Sequence, residues 1–549
     1  MIKLTEQYGS TVFAGKKPII YGYGDWGKRC LRHLRKEGIE IRGICDQRWK
    51  EYSEKEDQIT FISFEELKEI QDSPVIIAVE KFESILRFVV GFANKIYLYR
   101  KEGNSFYKVE KNYKILGCGT NTELMVLLKS KKRIALYGTP KHRKDFTHIF
   151  EDLNIVEELE KDSYIGDYNE YDLIIQCEKE GFETSSSNVV KAEDLFTLLA
   201  GDAMEHVKAY IMMMKTFSDK MVEQPPCIRP FQNAVINSVH DFHFCCGDWS
   251  WSIQNILQNS DLQSIWDSIE AKIYRLSIIN RTYSFCDWKR CVYLRAEPKE
   301  NAELERLQYK VKQTPDSLEI GIDKTCNLFC KSCRHQVIVE GGTRLDNINR
   351  SRQVIEQSGW IDQCNTLLLG GQGEVFVSPT YKALMYQVKN NRNTLDLRTN
   401  GILLTETEFL KLRAIYSNLK IIISIDAATE GTYRSLRRSH DKNAWNKLVA
   451  NLEMLADKRK NKELDYFQIN MCVQKENYAE IPEFVAWGDR LKVDVVYLTP
   501  IRNWGTYSEE EFKEISIFCG NEKVLKPEIK TVIESLRFNK INAKLEIAF

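Results

Sequence analysis

The sequence predicts an α/β protein: a run of parallel strand–helix repeats preceded by smaller α/β units. Three observations predict it. Short apolar runs alternate with amphipathic helical patterns along most of the 549 residues. Glycine turns follow several of those runs, as at Gly22-Tyr-Gly-Asp-Trp-Gly27 and Gly370-Gly-Gln-Gly-Glu374. Cysteines crowd into two stretches, 227–291 and 326–333.

At about 100–200 residues per domain, the length suggests three or four domains. The pattern divides as 1–105, 106–200, 201–310 and 311–549. Lys+Arg and Asp+Glu are both 78, so the net charge is zero and nothing argues for nucleic acid or an anionic membrane as partner. Met1 to Lys17 has no long apolar core, and no run of about 18 apolar residues occurs. A cytoplasmic chain without a membrane span is therefore expected. In that setting 15 cysteines point to metal or cluster ligation rather than disulfides. Cys30, Cys45, Cys118, Cys177, Cys364, Cys472 and Cys519 are scattered, and most are expected to be small buried apolar residues.

Lys17 to Tyr21 reads as a short strand entering G-x-G-x-x-G. A helix with Cys30, Leu31 and Leu34 on one side follows, then a second strand ending in Asp46. This fits a Rossmann-like βαβ unit. Gly22 would make the turn, Gly24 would admit a phosphate, Gly27 would let helix and strand pack closely, and Asp46 would meet a ribose. The same motif occurs in domains that bind no dinucleotide, and a recruitment or docking domain is the competing reading. The segment looks like small Rossmann-like domains attached to bacterial sugar- and capsule-modifying proteins. Lys131 to Gly138 opens a second, degenerate copy without the later glycines, expected to pack and to bind nothing.

Asp202 to Met221 reads as a helix, with Met212, Met213 and Met214 as core filler. Cys227, Cys245, Cys286 and Cys291 then supply four thiolates, enough for a closed iron–sulfur cluster or a structural zinc. Cys246 is an alternative to its neighbour Cys245.

From Leu318 onward six strands alternate with helices: 318–322, 366–369, 394–398, 419–425, 466–473 and 493–498. The motifs fall at their C-terminal ends, where parallel α/β folds place function. The first strand runs into Cys326-x3-Cys330-x2-Cys333. Three thiolates that close can hold three corners of a cube and leave one iron open; a zinc loop is the bland alternative. The second ends in Gly370-Gly-Gln-Gly-Glu374, the third in Thr399-Asn-Gly401, and the fourth gives Ser424-Ile-Asp426 with Tyr433 and Arg437 downstream.

Taken in that order, these motifs resemble the radical S-adenosylmethionine (SAM) superfamily, from about Leu318 to Thr506. The resemblance implies a partial (β/α)6 barrel and a 4Fe-4S cluster on Cys326, Cys330 and Cys333. It implies SAM contacts at Gly371, Gly373, Glu374, Ser424 and Arg437. Ala427 stands where the family usually has Gly. Residues 227–294 resemble the SPASM or twitch domain, which carries an auxiliary 4Fe-4S cluster, although Gln254 replaces a usual Gly and the segment precedes the barrel instead of following it.

The implied chemistry is one-electron cleavage of SAM to methionine and a 5′-deoxyadenosyl radical, which abstracts hydrogen from a substrate. A low-potential donor of flavodoxin or ferredoxin type is implied. Peptide or protein maturation is the expected use. Oxidation, dehydration or epimerisation of a sugar or nucleotide-sugar is the alternative, and a non-catalytic cluster scaffold is a third.

Overall fold

The computed structural model describes residues 2–46, 49–53, 59–79, 82–100, 104–111, 114–150, 153–160, 170–177, 186–195, 226–245, 250–287, 291–295, 311–389, 393–519, 524–536 and 543–548. The expected helix Asp202–Met221 and the alternative ligand Cys246 lie outside them. The chain divides into two compact units, 1–226 with 268–285, and 227–267 with 286–549. The segment expected as a separate domain, 201–310, is thus shared between them.

The first unit holds two sheets. One has seven strands: β1 (Ile2–Tyr8), β2 (Ile19–Tyr21), β3 (Gly43–Cys45), β4 (Phe61–Ile62), β5 (Val75–Ile77), β6 (Ile96–Arg100) and β7 (Ser105–Lys111). Their order is β1-β7-β6-β5-β2-β3-β4. Strands β6 to β4 run parallel, as the βαβ pattern predicts, while β1 and β7 add antiparallel at one edge. The other sheet is all parallel, in the order β11 (Val189–Lys191), β10 (Leu173–Gln176), β8 (Ile134–Tyr137) and β9 (Ile155–Leu159). Its β8 turn contains Gly138, and the buried Arg143 donates to the Gly138 and Leu159 carbonyls there. A guanidinium thus occupies the ground between these strand ends, paired with Glu158 and Glu160.

The second unit is built on one nine-stranded sheet, ordered β13 (Phe242–His243), β12 (Asn233–Ile236), β14 (Ser317–Ile320), β15 (Thr366–Leu369), β16 (Thr394–Thr399), β17 (Asn418–Ser424), β18 (Tyr466–Val473), β19 (Val495–Pro500) and β20 (Lys544–Ile547). The six predicted strands are β14 to β19, all parallel and in sequence order. Two further parallel strands extend the run: β20 beyond β19, and β12 beside β14. The cysteine-rich segment therefore shares the sheet instead of standing apart from it. Aromatic packing fixes it there: Trp266 meets Trp360 at 5.9 Å and Phe242 at 6.5 Å.

One sheet face carries the buried apolar residues Leu318, Ile320, Leu397, Ile423, Ile469 and Leu498. Helix Ile481–Arg490 packs on it so closely that a Cβ at Gly488 would lie 2.3 Å from Val496. Positions alternate along a strand, so the opposite face is set by Glu319, Asp396, Ser424, Gln468 and Asn470, which are half-buried and polar.

In the first glycine motif the turn and the close backbone approach fall on different residues. Gly22 has φ +97°, and a Cβ on Gly27 would lie 1.9 Å from the Gly22 carbonyl oxygen. Gly24 has open space around its Cβ position. Gly27→Ala should therefore cost about 1–3 kcal/mol by overpacking, read as a lower urea midpoint of the full chain. Gly24→Ala should stay within about 0.5 kcal/mol.

Candidate functional site

The loop after β14 is folded against the ends of its neighbours. Asp323 begins it, buried, with its carboxylate accepting from the Thr325 amide (2.8 Å) and the Ser378 hydroxyl (2.5 Å). The Cys326 amide donates to Ile338 O (2.9 Å), closing the loop on itself. The Phe329 and Lys331 amides donate to Arg438 O (3.0 Å) and Leu436 O (2.9 Å), which lie after β17. Asn400 after β16 donates to Asn327 (2.8 Å), and Lys331 pairs with Glu476 after β18 (2.6 Å). The loop thus joins the ends of β16, β17 and β18 at one mouth.

Donors gather on the sulfurs. The Leu328 amide approaches Cys326 Sγ (3.4 Å), and Arg334 approaches Cys333 Sγ through Nε (3.4 Å) and Nη2 (3.3 Å). Arg334 is itself held by Lys324 O (2.6 Å) and Gln372 O (2.8 Å). The charges of Cys326 and Cys333 are felt at Cys330, so the three form one electrostatic group. Burial pushes the Cys330 thiol up to about 11, and burial raises Cys326 too. Iron would therefore have to displace their protons. Among the described residues no group of three or more His, Cys, Asp or Glu is placed to hold a single metal ion. The thiolates of a cube bind separate irons and need no common point.

The second motif serves the loop directly. A Cβ on Gly373 would lie 2.5 Å from Asp323 O and 2.7 Å from Thr325 O, so this glycine lets one backbone pass another. Gly371, at φ +94°, has open space. Glu374 is 1% exposed. Its carboxylate accepts from the Thr399 hydroxyl (2.5 Å), the Asn400 amide (2.7 Å) and the Phe376 amide (3.3 Å). Burial raises its pKa against those three donors. The acidic group is thus committed to joining the ends of β15 and β16.

Ser424 closes β17 beside Asn470. Two residues on, Asp426 holds φ +65°, a region costly for a side chain. Its carboxylate accepts from the Cys472 amide (2.7 Å) and from Arg437 Nη1 (3.0 Å), and its carbonyl accepts from Asn477 (2.8 Å). Asp426 is visible in the sequence as a motif letter without a role. Arg437 stays protonated: burial opposes its charge, but Cys330 and Asp426 more than offset that.

Among the described residues, five buried side-chain atoms here have no hydrogen-bond partner: Tyr433 OH, Arg437 Nε, Gln474 Oε1, Thr506 Oγ1 and Tyr507 OH. All lie on segments after β17, β18 and β19. Buried orphans are uncommon in folded proteins, and their concentration at one mouth fits a polar ligand. Arg437 Nε suits a carboxylate, and the cysteine triplet beside it suits a cluster with one open iron.

The other cysteine group is at the opposite end of the sheet. Strand β12 runs parallel to β14, so Cys227, which precedes β12, lies beyond its N-terminal end, while Cys326 follows the C-terminal end of β14. The four paired residues alone span about 13 Å. The charges of Cys245 and Cys291 reach Cys227, the Arg229 amide donates to the Cys227 sulfur, and burial pushes that thiol up to about 11. Arg229 Nη1 approaches Cys245 Sγ (3.7 Å). Cys286 is set by a bridge to Ser250.

In the first unit, Asp46 Oδ2 accepts the Tyr23 amide (2.8 Å), so this carboxylate braces the glycine loop.

No family model matches the chain. Over 188 residues it is 24% identical to the tungsten-containing aldehyde ferredoxin oxidoreductase cofactor-modifying protein of Pyrococcus furiosus, covering 33% of this chain. It spans about half (50%) the length of that curated relative. Among solved structures it is similar to Streptococcus suis SuiB bound to S-adenosylmethionine: 15% identity, 43% of this chain, 51% of that one, TM-score 0.30. It is similar also to anSMEcpe with bound AdoMet (16%, 42% and 62%, 0.27) and to TYW1 with a lysine–pyruvate adduct (17%, 34% and 64%, 0.25).

Two outcomes check this geometry. A double-mutant cycle between Glu374→Gln and Thr399→Val should return a coupling of about 1–2 kcal/mol in urea unfolding. Tyr433→Phe removes an unmet hydroxyl, so it should stabilise the ligand-free protein by up to about 1 kcal/mol.

Proposed function

We propose that this chain is a radical SAM enzyme. The observation that carries the reading is the cysteine triplet lying against a buried arginine and tyrosine with unmet polar atoms. Cys326, Cys330 and Cys333 hold a 4Fe-4S cluster. Gly371, Gly373, Glu374, Ser424 and Arg437 build the SAM site, Gly373 and Glu374 by shaping it. When bound, the cluster and SAM supply methionine and a 5′-deoxyadenosyl radical. Arg334 and the Leu328 amide stabilise thiolate charge, and Arg437 offers its free Nε to an acceptor. Cys227, Cys245, Cys286 and Cys291 hold an auxiliary 4Fe-4S cluster beyond the other end of the sheet.

The substrate is a peptide or protein, taken along the polar sheet face that runs from Ser424 and Asn470 down to Glu319 and Asp396. The relative's description as a cofactor-modifying protein, and the peptide-bound forms of SuiB and anSMEcpe, support a modifying role. A sugar or nucleotide-sugar substrate is the second reading. It is favoured by the open Gly24 position in the first unit, with Gly22, Gly27 and Asp46 as its nucleotide-binding set. The electron donor is of flavodoxin or ferredoxin type, and the protein works in the cytoplasm.

Anaerobic reconstitution should load about eight irons per chain. Cys227→Ala should lower this to about four, and wild-type loading of only four would remove the auxiliary cluster. Cys330→Ala should abolish 5′-deoxyadenosine formation from SAM under reducing conditions, measured by chromatography. Continued formation would refute the assignment.

A further inference from the structure

A cluster that must be reduced from outside needs a place where a carrier can approach it. Of the triplet, Cys333 is exposed, whereas Cys326 and Cys330 are half-buried. The closest approach to the bound cluster from solvent is therefore at Cys333.

The surroundings of Cys333 are basic in a chain whose net charge is zero. The loop 324–344 carries Lys324, Lys331, Arg334 and Arg344 against Glu340 alone. The segment hydrogen-bonded to it, 434–442, carries Arg434, Arg438 and Lys442 against Asp441 alone, Arg437 being buried against Asp426. Glu430, Glu476 and Glu340 offset part of this through ion pairs with Arg434, Lys331 and Arg344. Arg344 is 73% exposed at its side chain, and Val339 on the same loop is 76% exposed, an apolar spot inside the basic rim. Electron-transfer complexes use small, weak, charge-steered interfaces.

We propose that this basic collar around Cys333 is the docking face for an acidic one-electron carrier protein. The proposal rests on the cluster reading above. One electron leaves a carrier such as an anionic flavin hydroquinone, which becomes the neutral semiquinone. That electron takes the oxidised 2+ cluster to 1+, and no proton moves.

The test uses the full chain, reconstituted anaerobically and mixed with flavodoxin hydroquinone in a stopped-flow cell. The rate constant for cluster reduction should fall steeply between about 0.05 and 0.5 M salt, because screening shortens the reach of the collar. Lys324→Glu combined with Arg344→Glu should slow it about tenfold. Iron content and the rate of reduction by photoreduced 5-deazaflavin should not change in this variant, which separates docking from misfolding. Equal carrier rates in wild type and variant, or no salt dependence, would overturn the docking face while leaving the cluster. Failure of the wild type to load iron would overturn the cluster reading and the docking face together. Salt-sensitive binding of a 20-nucleotide single-stranded RNA, with carrier reduction unaffected by the variant, would reassign the collar to nucleic acid.

Discussion

One buried carboxylate sets the mouth of the large sheet. Glu374 is taken out of water, and a carboxylate there must find donors or lose its charge. It finds three, two of them from the Thr399-Asn400 turn. That satisfies the acid and fixes the end of β16 relative to β15. The Glu374 amide also donates to Thr325 O (2.8 Å), which carries the same constraint into the cysteine loop. Gly373 lets the two backbones touch. The distance between triplet and turn is therefore set by a chain of short polar contacts and not by side-chain packing, which could slide.

Asp426 does the corresponding work after β17. Its left-handed backbone costs of order 1–3 kcal/mol, and such strain persists only where surrounding bonds hold it. Here the Cys472 amide, Arg437 and Asn477 do so. The effect is to turn the chain sharply at the strand end and to aim Arg437 back at Cys330. Ala427 needs no left-handed backbone of its own, because the residue that turns the chain is its neighbour, Asp426.

Much of this was legible in the sequence. All six strands of the repeat were readable, because an apolar run flanked by turn residues is a local signal, and Thr366–Leu369 and Tyr466–Val473 fell on their limits. The cysteine triplet, the glycine turns and Arg437 were readable for the same reason. What was not readable is long-range. Nothing local tells Asn233–Ile236 that it will pair with Ser317–Ile320, so the cysteine-rich stretch looked like a domain of its own. Lys544–Ile547 is short and half-charged, and becomes a strand only by adding to β19. Glu374 and Gly373 were recognisable as motif letters, but their partners are protein groups brought in by folding.

The pairing of β12 with β14 also has a consequence in time. The ribosome delivers Asn233–Ile236 about 80 residues before its partner strand, which at about 5–20 residues per second is several seconds of synthesis. Until then the strand has only the two-residue β13 beside it, and an isolated hairpin is marginal in water. Ala234, Val235 and Ile236, all buried in the finished protein, are left uncovered with Cys227 and Cys245 alongside. The nascent chain thus passes through an interval in which two thiols and a sticky edge are presented together, and the edge is covered only once β14 has docked.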